Sequence, residues 1–231
     1  MPGLVFPLFF TAVNAAALTR TQNLPGFPEV DSYLSFLLPA TLIQGLMLSS
    51  TTAGNDLAID IQDGFFDRLL ASPVNRVALL LGRLGGAAVY GAVLTVVFTA
   101  ILYLFGATIQ AGVPGLLVLM FSSALLSTGI GAFSMAIAFR KGSVEEVNGY
   151  FPIFFTLVFM SSAFFPPELA GGWFETVASV NPVSWLVNGT RHLVIFGWHW
   201  PGALQAIGVS SGIMVLGVAS AVRGLKKRLK T

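Results

Sequence analysis

Four aspartates offer the clearest chemistry in this sequence. Asp56, Asp60, Asp63 and Asp67 are spaced 4, 3 and 4. At about 100° per residue they fall on one narrow stripe of a helix. Ala58, Ile61, Phe65 and Leu69 lie on roughly the opposite face, flanked by Leu57, Ile59 and Phe66. The pattern predicts an amphipathic segment divided at Gly64, with Asp63 capping a short second helix over Phe65 to Ala71. Ser72-Pro73 ends that helix, because the residue before a proline avoids helical geometry. Two explanations stand. The segment lies on lipid headgroups with its acids in water, although surface helices usually carry basic polar faces. Alternatively it docks, with Phe65, Phe66, Leu69 and Leu70 in a partner's groove, which explains acids and aromatics together.

Other chemistry is sparse. His192 and His199 are seven residues apart with no carboxylate close, whereas a metal helix wants a spacing of three or four plus an acid. Interfacial anchoring accounts for both. Cysteine is absent, which excludes disulfides, thiolate chemistry and sulfur-ligated metals. No GxSxG elbow occurs. Arg140-Lys141-Gly142-Ser143 lacks the glycine-spaced loop of a nucleotide site, so the chain cannot hydrolyse ATP by itself. No catalytic residue, metal or cofactor is expected in this chain. Asn188-Gly189-Thr190 is a glycosylation sequon that chance explains.

The elements that must position the aspartates are set by composition. Of 231 residues 55% are hydrophobic and only 10% charged, with mean hydropathy +0.82. Ordinary globular chains carry about 25% charged residues. A soluble enzyme and a disordered chain are therefore excluded, and a net charge of +2 is no nucleic-acid face. This is a membrane protein. About 20 apolar residues cross a bilayer, and such stretches fall at about 33–54, 84–105, 114–139, 147–166 and 201–222. A shorter one at 2–18 has no basic residue before it, so it reads as a sixth span and not a secretory signal.

Orientation follows from the basic residues. Arg68, Arg76, Arg83, Arg140, Lys141, Arg223, Lys226, Lys227, Arg228 and Lys230 sit at one set of ends, against Arg20 and Arg191 at the other. The loop over 56–83, the loop after the fourth span and both termini are thus expected in the cytoplasm. Trp173, Trp185, Trp198 and Trp200 all fall between spans five and six, and tryptophan prefers the water–lipid boundary. Residues 167–200, broken by Gly171, Gly172 and Pro182, read as two short re-entrant or interfacial helices on the outer side. The five long spans carry no ionisable side chain except tyrosine, which argues against a proton pump, voltage sensor or secondary transporter. Gln44, Thr95, Thr99, Ser127, Thr128, Ser134 and Thr156 serve backbone or interhelical hydrogen bonds, or line a path. Gly82 with Gly86, and Gly208 with Gly212, form GxxxG pairs expected to pack helices, within one subunit or between two.

Two motifs carry a resemblance to the membrane subunits of type-2 ABC exporters, which include drug- and antibiotic-resistance permeases. Asp63-Gly64-Phe65-Phe66-Asp67-Arg68-Leu69-Leu70-Ala71-Ser72-Pro73-Val74, followed by Gly82-Arg83, is similar to the family's acidic-Gly, Leu-Leu, Ser-Pro, Gly-Lys/Arg loop. Ser161, Phe164-Phe165-Pro166, Trp173-Phe174, Asn181-Pro182 and Arg191 resemble its outer-leaflet signature. Here Ser161-Ser162 replaces the family's Ser-Gly, and Ala170-Gly171-Gly172 its Leu-Pro. The family's basic amphipathic helix before the first span is missing from the pattern, since Met1 almost abuts that span.

The resemblance implies an all-α, polytopic membrane subunit over 1–231 with six transmembrane helices, dimerising on two ABC ATPase subunits that bind ATP and Mg. Asp63 to Pro73 would be the coupling helix. The short helices after the fifth span, with Ser161, Phe164, Phe165, Pro166, Trp173, Asn181, Pro182 and Arg191, would form the outer gate. The expected function is a plasma-membrane exporter permease, a homodimer moving a hydrophobic or amphipathic substrate such as a drug-like molecule or a lipid. A scaffold recruiting a cytoplasmic partner through the 56–73 loop is the alternative, and a lipid-modifying enzyme a more distant one.

Overall fold

Apolar content dictates helices here, because a helix satisfies its own backbone groups without water. The computed structural model describes residues 2–23, 25, 27–72 and 76–229, and among them there is no strand. Helix α1 (Pro2–Leu18) ends in a 3-10 turn (Thr19–Asn23); α2 (Tyr33–Ser50), α3 (Thr52–Gln62) and α4 (Phe65–Ala71) follow. The long helices α5 (Arg76–Leu104) and α6 (Gly112–Lys141) come next, then the short α7 (Val144–Asn148) and α8 (Phe151–Phe159). Three more short helices, α9 (Pro167–Ala170), α10 (Gly172–Val180) and α11 (Pro182–Ile195), precede α12 (Trp200–Arg228).

Four stretches are long and apolar enough to cross a membrane: Tyr33–Gln62, Ala78–Leu104, Gly112–Lys141 and Trp200–Arg228. Thr51 keeps helical dihedrals (φ −66°, ψ −21°), so α2 runs on into α3. Helix α1 is a shorter apolar helix. The stretch expected to cross at 147–166 differs from its prediction. Helix α8 has nine residues, about 14 Å at ~1.5 Å each, against ~30 Å of hydrocarbon. Met160 leaves helical geometry (φ −89°, ψ 26°) and the chain turns over 160–165. The segment at 167–200 holds three short helices and not two, divided at Gly171 and Gly172, whose φ values are 65° and 62°, and at Asn181-Pro182.

Helix α6 is the central post, and close approach to it depends on residues without bulk. A Cβ at Gly217 of α12 would lie 2.2 Å from the Gly129 carbonyl oxygen of α6. At Gly54 of α3 it would lie 2.6 Å from the Ser134 backbone, and at Gly91 of α5 2.6 Å from the Ser123 carbonyl oxygen. The GxxxG expectation needs correcting on this point. A Cβ at Gly82, Gly86, Gly208 or Gly212 would meet nothing within 4 Å, so those glycines do not pack the helices of this chain together.

The polar residues inside the spans mostly serve the backbone. Thr95, Thr128, Ser134 and Thr156 each donate to the carbonyl four residues earlier, at 2.7–3.1 Å. Gln44 is buried and Thr99 half-buried with its hydroxyl covered, and neither side chain has a hydrogen-bond partner among the described residues.

Because its would-be Cβ meets backbone and not a yielding side chain, Gly217→Ala should cost roughly 1–3 kcal/mol through forced separation of α6 and α12. Gly208→Ala should stay within about 0.5 kcal/mol. Thermal denaturation of the two detergent-purified variants compares them directly.

Candidate functional site

The aspartate stripe lies where α3 and α4 meet the ends of α5, α6 and α12. Two of its acids are used within the chain. Asp60 is ion-paired with Arg83 of α5, and Asp67 with Arg228 of α12 at 3.5 Å. Asp56 and Asp63 have no ion-pair partner among the described residues. Gly64, in the left-handed region at φ 67°, is the residue that opens α4, and no side chain caps it. Asp63 instead closes α3, so its predicted capping role is corrected. The break itself falls where Gly64 placed it, because only glycine takes that φ without strain.

Phe66 also differs from expectation. It is 4% exposed, with its ring 5.5 Å from that of Phe139, in a core that includes Leu57, Met135 and Leu225. It anchors the loop and cannot enter a partner's groove. Leu69 and Leu70 are half-buried, and Leu70 packs against the same core. Phe65 is left on the outside at 46% exposure, beside exposed Asp63, Asp67 and Arg68. Arg68 Nε donates back to the Gly64 carbonyl at 3.4 Å, and Ser72 Oγ to the Leu69 carbonyl at 2.6 Å. Pro73 and Val74 lie outside the described residues.

At the other end of the helices the second motif converges on the turn after α8. Stopping a helix frees backbone carbonyls that need donors. Asn181 Nδ2 donates to the carbonyls of Leu157 (2.7 Å) and Met160 (2.8 Å), while its Oδ1 caps α11 by accepting from the Val183 amide at 2.8 Å. Arg191 Nη1 donates to the Ser162 carbonyl at 3.0 Å, and Nη2 to the Ala163 carbonyl at 2.8 Å. Its Nε reaches the Phe36 carbonyl of α2 at 3.4 Å, with the guanidinium 3.8 Å above the Phe36 ring. Burial lowers the Arg191 pKa to about 9, against the opposing fields of Tyr33 and Glu168, so the cation persists at neutral pH. Burial also lowers the pKa of neighbouring His192, as do His199 and Arg191.

Ser161 ties into the same turn through the Val158 carbonyl and the Ala163 amide. Phe164 meets Phe10 edge-to-face at 5.0 Å and Phe159 at a tilt at 5.3 Å. Pro166 is buried and Phe165 half-buried; Pro182 opens α11. Trp173 is not brought in. It stands 68% exposed on α10.

Sequence reasoning missed three members of this knot. The Ser162 amide donates to Ser184 Oγ at 3.0 Å and the Ser162 hydroxyl to Asn188 Oδ1 at 2.8 Å, and Tyr33 donates to the Phe164 carbonyl at 3.4 Å. The departure at Ser162 was the available signal. The histidines stack on each other at 4.9 Å, and His199 Nδ1 caps α12 by accepting from the Gly202 amide at 3.1 Å.

Removing the guanidinium leaves at least two buried carbonyls without donors, each worth about 1–3 kcal/mol. Arg191→Leu should therefore destabilise the fold by about 3 kcal/mol or more. Arg191→Lys should recover only part of that, since one ammonium cannot reproduce the planar fork. Thermal denaturation of both variants measures the difference.

Comparison with known proteins places the chain in a family. The ABC-2 type transporter family model matches residues 2–195. The daunorubicin resistance ABC transporter permease protein DrrB1 of Streptomyces coeruleorubidus is 28% identical over 194 residues, which are 83% of this chain and 65% of that protein. A putative transport permease, ycf38, of Cyanophora paradoxa is 27% identical over 195 residues, 82% of this chain and 64% of the relative. The ycf38 protein of Pyropia yezoensis is 27% identical over 223 residues, 94% of this chain and 74% of its own length. With most of its length matched, both motif regions included, the chain belongs to the ABC-2 type transporter family.

Proposed function

We propose that this chain is the transmembrane permease subunit of an ATP-driven exporter, powered by separate ABC ATPase subunits. The observation that carries the reading is the fastening of α4. Phe66 is sunk in the core and Asp67 paired with Arg228, while Phe65 points outward. A helix held this way transmits a push to α3, α6 and α12 without absorbing it. That is what a coupling helix of the family must do, with Asp63 to Ser72 meeting the ATPase and Pro73 following.

In this reading the four long helices cross the plasma membrane, together with α1 and the region of α8. Both termini and the basic ends face the cytoplasm. The turn at 160–166 and helices α9 to α11 form the outer gate. Two copies pair, and their apolar interface opens outward when the ATPases close. ATP and Mg belong to the ATPase subunits. A path without ionisable side chains in its apolar segments suits a hydrophobic or amphipathic substrate, a drug-like molecule or a lipid. The Streptomyces relative, a daunorubicin resistance permease by name, supports the drug-like class.

Phe65→Asp should leave the subunit folded and inserted but cut both co-purification with its ABC ATPase partner and transport. Phe66→Asp should fail earlier, at folding, because it buries a carboxylate in an apolar core. Normal ATPase binding and normal transport by Phe65→Asp would reject the docking role.

A further inference from the structure

A cavity opens beside the aspartate stripe. It is a cleft of about 450 Å³ between α1, the α2–α3 junction and α5, within the usual range of small-molecule sites, about 300–1,000 Å³. Its wall is apolar along Leu48 and Tyr90, and Gly86 keeps it wide, since a Cβ there would meet nothing within 4 Å. Thr52, Asp56, Arg83 and Ser127 add polar groups to the lining. Ser49 Oγ is covered by protein against Gly3 of α1 and does not open into the cleft. Arg83 lines the cleft but is neutralised by its ion pair with Asp60. Asp56 stands at the exposed rim with no ion-pair partner among the described residues.

The charge count decides the ligand. Arg83 and Asp60 cancel, so among the described residues the unbalanced charge at the cleft is the Asp56 carboxylate. An anion would face that carboxylate with Arg83 already paired. A body of apolar atoms carrying one positive charge would fill the wall and meet Asp56 at the wetter rim. We propose that this cleft binds a cationic amphiphile, an apolar molecule or lipid with a single ammonium-type charge, held by Asp56. This deepens the exporter reading by naming a substrate class, but binding itself needs no ATPase. Failure of transport and failure of this site can therefore be told apart.

Tetraphenylphosphonium and tetraphenylborate share shape and size and differ in sign, and they make the test. Equilibrium binding of each to the detergent-purified chain is measured over a protein-free micelle blank. The phosphonium should bind more tightly than the borate. Asp56→Asn should weaken phosphonium binding by at least about fivefold and narrow the difference between the ions. Asp56→Glu should retain it, and Asp63→Asn, on the same stripe outside the cleft, should change nothing. Gly86→Leu fills open space, so it should fold normally and abolish binding. Competition by sphingosine, a lipid with one ammonium charge, in nanodiscs would identify an amine lipid as the occupant, and its absence a drug-like cation. Equal binding of the two ions, or unchanged phosphonium affinity in Asp56→Asn or Gly86→Leu, overturns the proposal.

Discussion

A helix that stops inside an apolar bundle has to find donors for its freed carbonyls within the protein. In this chain the requirement falls on the last turn of α8 and the residues just after it, and Asn181 and Arg191 meet it. Asn181 serves Leu157 and Met160, and Arg191 serves Ser162 and Ala163 while reaching across to Phe36. One buried cation thus joins α2, the turn and α11. Because four of its contacts are neutral oxygens and one an aromatic face, the group stays charged and fixed. The turn can then move only as a unit with α11, which suits a part that opens and closes.

The opposite end solves a different problem, how to hold a short amphipathic helix rigidly against long apolar ones. Helix α4 has seven residues, too few to be stable alone. Its order comes from Phe66 in the core and from the Asp67 pair to α12, while α3 beside it is tied to α5 through Asp60. The ion pairs are half-exposed and individually weak, so they set orientation, while burial of Phe66 supplies most of the stability. Two fastened ends joined by α6 and its glycine-tight crossings make one mechanical body. A push on α4 therefore has a continuous packed route toward the turn.

Much of this was legible in the residues. Helix α4 begins and ends where Gly64 and Ser72-Pro73 placed it, and α1 matches the apolar stretch at 2–18, because local turn chemistry and hydropathy act within a few residues. Burial was less legible. Phe65 and Phe66 are adjacent and identical in type, and which one faces inward depends on where Phe139 and Leu225 arrive from α6 and α12. The GxxxG spacing misled for the same reason. Spacing names a face but not its neighbour, and the face that meets α12 carries Gly129, outside any such pair. Similarly, a 20-residue apolar stretch at 147–166 hid a helix break, since the donors that permit it lie at 181 and 191.

The central claim is that this bundle holds no engine and moves its cargo only when another subunit pushes on α4. Reconstitution in proteoliposomes tests it most directly, comparing the purified chain alone, with its ATPase, and with its ATPase plus ATP. The account predicts movement of an amphipathic fluorescent cation in the last condition only. Comparable movement by the chain alone, with no nucleotide present, would contradict it.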